Sequence, residues 1–212
     1  MTKPQIKQFT LGPLANNSYL IIDRDHGKVV VIDPAIGSGA IKQYLEDEYL
    51  RVEQIWITHA HFDHFAGINE LETDLRGKAP IYIHRLEHDY MQSGGGIREY
   101  FDSEWTNPKG LLLCNFMEKN LFNQTEWKVL HTPGHRPGHV VFYSEEDSIA
   151  FCGDLIFQSS IGRTDLAGGD YSQLIHSIRQ VIFSLPEQTI LLPGHGPSTT
   201  VGEEKKSNPF LR

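Results

Sequence analysis

The segment Thr58-His59-Ala60-His61-Phe62-Asp63-His64 decides how this chain is read. It follows a β-branched run at residues 54–58 and opens a stretch of helical periodicity at residues 64–76. At this composition, H-x-H-x-D-H arises by chance about 2 times in 1,000. A solvated strand end would call for polar residues, but not for four side chains that are all metal-ligand types. Neutral imidazole and carboxylate are borderline-to-hard donors that suit zinc, iron or manganese. In extended chain, residues 59 and 61 point the same way. The turn into a helix then swings Asp63 and His64 toward a second centre. One short loop can thus serve two adjacent divalent ions.

Three further signals lie downstream, each at the end of an expected strand. Thr132-Pro133-Gly134-His135 follows residues 128–131, Cys152-Gly153-Asp154 ends residues 148–153, and Pro193-Gly194-His195-Gly196 ends residues 189–193. Each alone marks only a turn. Together they repeat one design, in which a strand delivers a ligand at its end and a glycine permits close backbone approach. Further strands are expected at 18–23, 28–33, 54–58, 80–84 and 139–144, and helices at 40–48, 64–76 and 170–185. In the last helix Tyr171, Leu174, Ile175, Ile178, Val181, Ile182 and Leu185 form one apolar stripe. Hairpin-like pairs dominate two similar halves, the first running to about residue 125. Two packed mixed sheets with helices outside, an α/β (α+β) architecture, fit this order better than a doubly wound parallel sheet. Residues 90–122, with Gly94-Gly95-Gly96 and Asn107-Pro108, read either as a disordered insertion or as a packed loop or short helices, even a substrate lid, and His84 and His88 bracket the start of an expected helix.

The 212 residues suit a single domain, 1–212. A formal net charge of −8 with no Lys/Arg block argues against nucleic-acid binding, which rests on neutralising phosphates. Two scattered cysteines, Cys114 and Cys152, make no disulfide framework and read as reduced thiols. The N-terminus lacks a signal-peptide pattern, and apolar runs such as Val29-Val30-Val31-Ile32 are too short to span a bilayer. A cytoplasmic protein with no membrane partner is the expectation. Of the other histidines, His139 is expected to hydrogen-bond near the site, while His26, His84, His88, His131 and His176 read as structural or surface residues. Asp33, before Pro34, reads as a carboxylate that supports a ligand rather than binding metal.

The chain resembles the metallo-β-lactamase superfamily, and within it the glyoxalase II-like (hydroxyacylglutathione hydrolase-like) branch. The resemblance runs from Ala15-Asn16-Asn17-Ser18-Tyr19 and Val31-Ile32-Asp33-Pro34 through the four motifs to Asn208-Pro209-Phe210. It implies a four-layer αββα sandwich and a dinuclear centre. His59, His61 and His135 would hold one ion, Asp63, His64 and His195 the other, and Asp154 would bridge them. Zinc is the expected metal, with iron or manganese as alternatives. Such a centre lowers the pKa of a bound water and stabilises the oxyanion of acyl transfer. The resulting hydroxide attacks a carbonyl, with Asp63 and Asp154 as the catalytic carboxylates and Asp63 carrying the proton. An amine must be protonated to leave, whereas a thiol departs as thiolate, so acyl thioesters such as S-lactoylglutathione are the expected small-molecule substrates. The persulfide dioxygenases, which use one iron on His59, His135 and Asp154, and the lactonases are the alternatives.

Arg163 is the substrate-binding candidate, nine residues after Asp154 in Gly162-Arg163-Thr164-Asp165. Glyoxalase II carries a Lys at that spacing. The competing reading is a structural clamp between Arg163 and Asp165. The chain ends 17 residues after His195, too soon for the C-terminal helical domain of full-length glyoxalase II. Two tyrosines of that family are replaced by Gly196 and Asp165. Weak recognition of glutathione follows from these departures.

Overall fold

The computed structural model describes residues 4–75, 79–101, 106–107, 113–114, 119–122 and 125–212, with the side chains of 72–75, 113–114 and 119–121 excepted. The chain divides into two compact units, Met1–Asn115 and Phe116–Arg212. The division falls about ten residues earlier than the sequence suggested.

The first unit contains one six-stranded sheet in the order β1 (Gln5–Leu11), β2 (Asn16–Asp23), β3 (Lys28–Ile32), β4 (Arg51–Trp56), β5 (Ile81–Tyr82), β6 (Leu113–Cys114). It is antiparallel from β1 to β3 and parallel from β3 to β6. Two parallel neighbours need a crossover, and α1 (Gly39–Asp47) supplies the one from β3 to β4. The crossover from β4 to β5 contains the ligand loop and α2 (Ile68–Leu75). Every residue of β2 and all but the first of β3 are buried, as expected of central strands covered on both faces. Leu20, Ile22, Val29, Val31, Ile55 and Ile57 form one core with Ile41 and Leu45 of α1 and Ile68 and Leu71 of α2. Each such side chain contributes roughly 1.5–3 kcal/mol by leaving water. The carboxylate of Glu70 in α2 accepts the backbone N–H groups of Gly37 and Gly39, at 2.7 and 2.8 Å, and so ties α2 to the start of α1.

Helix α2 starts at Ile68, later than the expected 64, because Phe62–His64 forms a separate 3-10 turn. Gly67 separates the two. Its N–H donates to the Pro34 carbonyl, and a Cβ there would lie 1.8 Å from the Ala35 carbonyl oxygen. Gly67→Ala should therefore cost about 1–3 kcal/mol or more. Thermal unfolding, read at about 2–4 °C per kcal/mol in a chain of this size, should drop by roughly 2–12 °C. An unchanged melting temperature would mean that this contact is relaxed in solution.

The second unit contains a sheet in the order β14 (Thr199–Thr200), β13 (Ile190–Pro193), β10 (Ile149–Gly153), β9 (Val140–Ser144), β8 (Thr125–His131), β7 (Lys119–Phe122). Only β10 and β13 are parallel, and α5 (Tyr171–Gln180) lies in their crossover. A small hairpin, β11 (Ile156–Phe157) and β12 (Ser160–Ile161), follows β10. The apolar stripe of α5 is real but shorter than expected. Leu174 and Ile178 are buried in the helix and Ile182 in a 3-10 turn after it, while Tyr171 is exposed. They pack with Val141, Ala150 and Cys152 of the sheet. Cys152 is a free, fully buried thiol whose pKa burial pushes well up, so it is inert at neutral pH. The strands β1, β6, β7, β11, β12 and β14 and the helix α6 (Val201–Ser207) were not anticipated, whereas α3 (His88–Gln92) and α4 (Ile97–Tyr100) fall where short helices were among the readings. Among the described residues, no helix is long and apolar enough to cross a membrane.

Candidate metal centre

The first unit gathers His59, His61, Asp63 and His64 just beyond the end of β4. Their orientation starts from Asp33, which follows β3 and holds the left-handed backbone conformation (φ 49°). This carboxylate is almost fully buried. Oδ1 accepts the Thr58 backbone N–H at 2.8 Å. Oδ2 accepts the Thr58 hydroxyl at 2.7 Å and the His64 Nδ1–H at 2.9 Å. Because the Thr58 proton goes to Asp33, its hydroxyl oxygen accepts from His59 Nδ1, 3.1 Å away. Both imidazoles therefore carry their proton on Nδ1, which leaves the Nε2 lone pair available for a cation. His59 Nε2 lies 3.0 Å from His61 Nδ1, and His64 Nε2 lies 3.7 Å from Asp63 Oδ2.

The loop backbone is clamped from the other side. Buried Glu87 accepts the Ala60 N–H at 3.1 Å, and the Gly95 carbonyl accepts the Phe62 N–H at 3.1 Å. A Cβ on Gly95 (φ 57°) would lie 2.3 Å from the Ala60 carbonyl oxygen. Phe62 packs on Tyr100 and Phe101, with ring centroids 5.1 and 5.6 Å apart. Residues 90–101 thus take the packed alternative, with short helices that support the ligand loop, rather than a disordered insertion. The remaining residues of the expected 90–122 lid fall largely outside those described.

The second unit gathers His135, Asp154 and His195. A Cβ on Gly134 (φ 136°) would lie 2.2 Å from the Leu174 backbone nitrogen, so only glycine lets this loop cross the first turn of α5. His135 Nδ1–H donates to the Arg163 carbonyl at 2.7 Å. Its Nε2 lies 3.7 Å from Asp154 Oδ2, and His195 Nε2 lies 3.6 Å from the same oxygen. The expected role of His139 is borne out. Its Nε2 accepts the Asp154 backbone N–H at 3.2 Å, so its Nδ1–H donates to the Thr132 hydroxyl at 2.9 Å. The Gly194 N–H donates to the Gly153 carbonyl at 2.8 Å, which joins the loops of Asp154 and His195. His59, His64 and His135 thus have their Nδ1 atoms held by the protein.

These donors fit divalent ions. Two donors about 2.1 Å from one tetrahedral ion lie roughly 3.4 Å apart. The separations of 3.6 and 3.7 Å around Asp154 Oδ2 are close to that value and too long for hydrogen bonds. An oxygen set between two imidazole nitrogens in this way suits a ligand shared by two ions. In the first unit, His59 and His64 are fully buried and His61 nearly so. Imidazoles so far from water fit cation ligands rather than solvated surface groups.

Arg163 does not reach out as an isolated cation. Its Nε and Nη2 donate to the two oxygens of Asp165, both at 2.8 Å, so the clamp reading describes its side chain. The guanidinium holds the Asp165 carboxyl down at about 2. His84, His131 and His26 make local structural contacts. His84 accepts the Leu86 N–H within a 3-10 turn, His131 Nε2 donates to the Pro137 carbonyl, and His26 pairs with Asp23. Glu87 was missed by sequence reasoning. Nothing in Arg85-Leu86-Glu87 distinguishes a buried loop anchor from an exposed acidic residue.

A family model described as Metallo-beta-lactamase superfamily matches residues 11–195, and the chain belongs to that superfamily. It is 36% identical over 203 residues to hydroxyacylglutathione hydrolase GloC of Haemophilus influenzae, covering 92% of each chain. It is similar to the crystal structure of BLEG-1 B3 metallo-beta-lactamase, at 37% identity and TM-score 0.88, over 98% of this chain and 99% of that one. It is also similar to TTHA1623 in a di-iron-bound form, at 38% identity and TM-score 0.85, over 97% and 100%. The expected α/β fold, with two mixed sheets and flanking helices, is that of these neighbours. The chain is a member of a family of metal-dependent hydrolases.

Proposed function

We propose that this protein is a metal-dependent hydrolase of acyl thioesters, of the glyoxalase II kind, acting on small molecules such as S-lactoylglutathione. The observation that carries the reading is Asp154 Oδ2 lying 3.7 Å from His135 Nε2 and 3.6 Å from His195 Nε2, the arrangement of a bridging ligand. His59, His61 and His135 would hold one ion and Asp63, His64 and His195 the other. Because that proposed ligand set draws on residues from both halves of the sequence, we propose residues 1–212 as one functional domain. Zinc is the proposed metal, and the di-iron form of TTHA1623 makes iron the natural comparison. Bound ions would supply Lewis acidity and an activated water.

The protein's own groups do the rest. Asp33 and the Arg163 carbonyl fix the imidazole tautomers, and His139 fixes the backbone of Asp154. The Asp63 carboxylate, only 13% exposed, would orient the attacking water and accept its proton. The departing thiolate needs no protonation, whereas a lactam nitrogen does. GloC supports the thioester reading by similarity alone. The buried reduced Cys152 agrees with a cytoplasmic setting.

Purified protein should contain two ions per chain by elemental analysis and release thiol from S-lactoylglutathione, followed with a thiol-reactive dye. One tightly bound ion under metal-replete conditions, with oxygen uptake on glutathione persulfide and no thioester cleavage, would replace this reading with the dioxygenase. Cleavage of β-lactams without thioesters would replace it with a lactamase.

A further inference from the structure

The cation that the sequence offers to substrate is already engaged. Arg163 presents Nε and Nη2 to both oxygens of Asp165, yet the two side chains remain 52% and 68% exposed. The loop that carries them is firmly seated. A Cβ on Gly162 would lie 1.9 Å from the Asp154 carbonyl oxygen, and one on Gly169 would lie 2.3 Å from that of Thr164. The Arg163 carbonyl receives the proton of His135 Nδ1. The loop backbone is thus seated against two proposed metal ligands, and the pair it carries faces solvent. Two-point pairing uses the guanidinium edge that would grip a substrate carboxylate. Asp165 stays ionised across the neutral range, because the hydrogen bonds from Arg163 hold it at about 2.

We propose that Asp165 is a specificity-determining residue: it occupies the binding edge of Arg163 and disfavours thioesters whose thiol portion carries carboxylates. The proposal rests on the thioesterase reading. An anionic thiol portion must exchange one carboxylate for another at Arg163, with little gain, and leaves Asp165 as a nearby like charge. A thiol portion without charge meets a neutral ion pair and loses nothing.

The test compares S-lactoylglutathione with the lactoyl thioester of N-acetylcysteamine, which keeps the acyl group and lacks the carboxylates. Asp165→Asn should raise the ratio of kcat/KM, glutathione thioester over truncated thioester, by about two- to five-fold, the scale of one exposed ion pair. The gain should lie in KM and shrink as salt rises. Binding of free glutathione, measured by calorimetry, should tighten by a similar factor. Adding Arg163→Ala to Asp165→Asn should remove both gains. A purely structural clamp would instead lower kcat on both thioesters alike and lower metal content. Unchanged selectivity and glutathione affinity in Asp165→Asn would overturn the proposal. If wild-type protein cleaves neither thioester, the thioesterase reading falls, and glutathione calorimetry still decides the role of Asp165.

Discussion

Asp154→Ala should abolish hydrolysis, with kcat/KM falling at least about 1,000-fold, equivalent to roughly 4 kcal/mol of transition-state stabilisation. One carboxylate oxygen stands between His135 Nε2 and His195 Nε2, and alanine supplies no donor there. Metal content should fall from two ions per chain to one or fewer. The fold should survive. The Asp154 backbone N–H would still donate to His139, and the Gly153 carbonyl would still accept from Gly194. Far-UV circular dichroism of the variant should match that of wild type, and its melting temperature should match that of chelator-treated wild type within a few degrees. Asp154→Asn keeps the shape and loses the charge, so it should retain more metal than alanine and little activity. A variant that held two ions and stayed within ten-fold of wild-type activity would remove Asp154 from the centre.

The candidate donor set stands out in sequence because metal chemistry restricts residue type more tightly than folding does. Few alternatives explain H-x-H-x-D-H at a strand end. The downstream motifs became persuasive because three strand ends repeat the same pairing of glycine and donor. The glycines carried more information than turn signals usually do. Gly134 is needed for contact with α5, and Gly162 for contact with the Asp154 carbonyl. The central strands were equally plain, since β2 and β3 are buried runs with β-branched residues. Elements outside the core were not. β1 alternates between exposed and half-buried residues and carries Gln5, Lys7 and Gln8, so its apolar signal is diluted. Two-residue strands such as β11 and β14 have too few positions to show a period.

The supports of the ligands were harder to read than the ligands. Glu87 and Gly95 sit 28 and 36 residues after His59. Only the three-dimensional course of α3 and α4 brings them to the Ala60 and Phe62 amides. The Arg163–Asp165 pair lay between two readings in sequence, because a two-residue spacing allows contact without requiring it. The bidentate geometry shows that the contact is made. What it means for selectivity depends on solvent exposure and loop seating, which no spacing reveals.

Asp33 was expected to support the site without binding metal, and the variants that test this should show a large combined effect. Its carboxylate receives the Thr58 N–H, the Thr58 hydroxyl and the His64 Nδ1–H, all buried. Asp33→Ala would leave three buried donors without their acceptor, at a cost of about 3–5 kcal/mol. Alanine also tolerates φ 49° less well than aspartate or asparagine. Asp33→Asn keeps that tolerance and one acceptor oxygen, but turns an NH2 toward two donors, so it should cost about 2–3 kcal/mol. At about 2–4 °C per kcal/mol, melting should fall by roughly 6–20 °C for alanine and 4–12 °C for asparagine. The functional consequence runs through tautomers. Without Asp33, the Thr58 hydroxyl no longer has to accept from His59, and His64 loses the partner that keeps its proton on Nδ1. Metal affinity, measured by competition with a chromophoric chelator, should fall about 10- to 100-fold even in the asparagine variant. The comparison of the two variants separates stability from orientation. A role confined to folding would leave metal affinity at the wild-type value in whatever fraction of Asp33→Asn remains folded, and that result would end the case for Asp33 as the residue that sets both imidazoles.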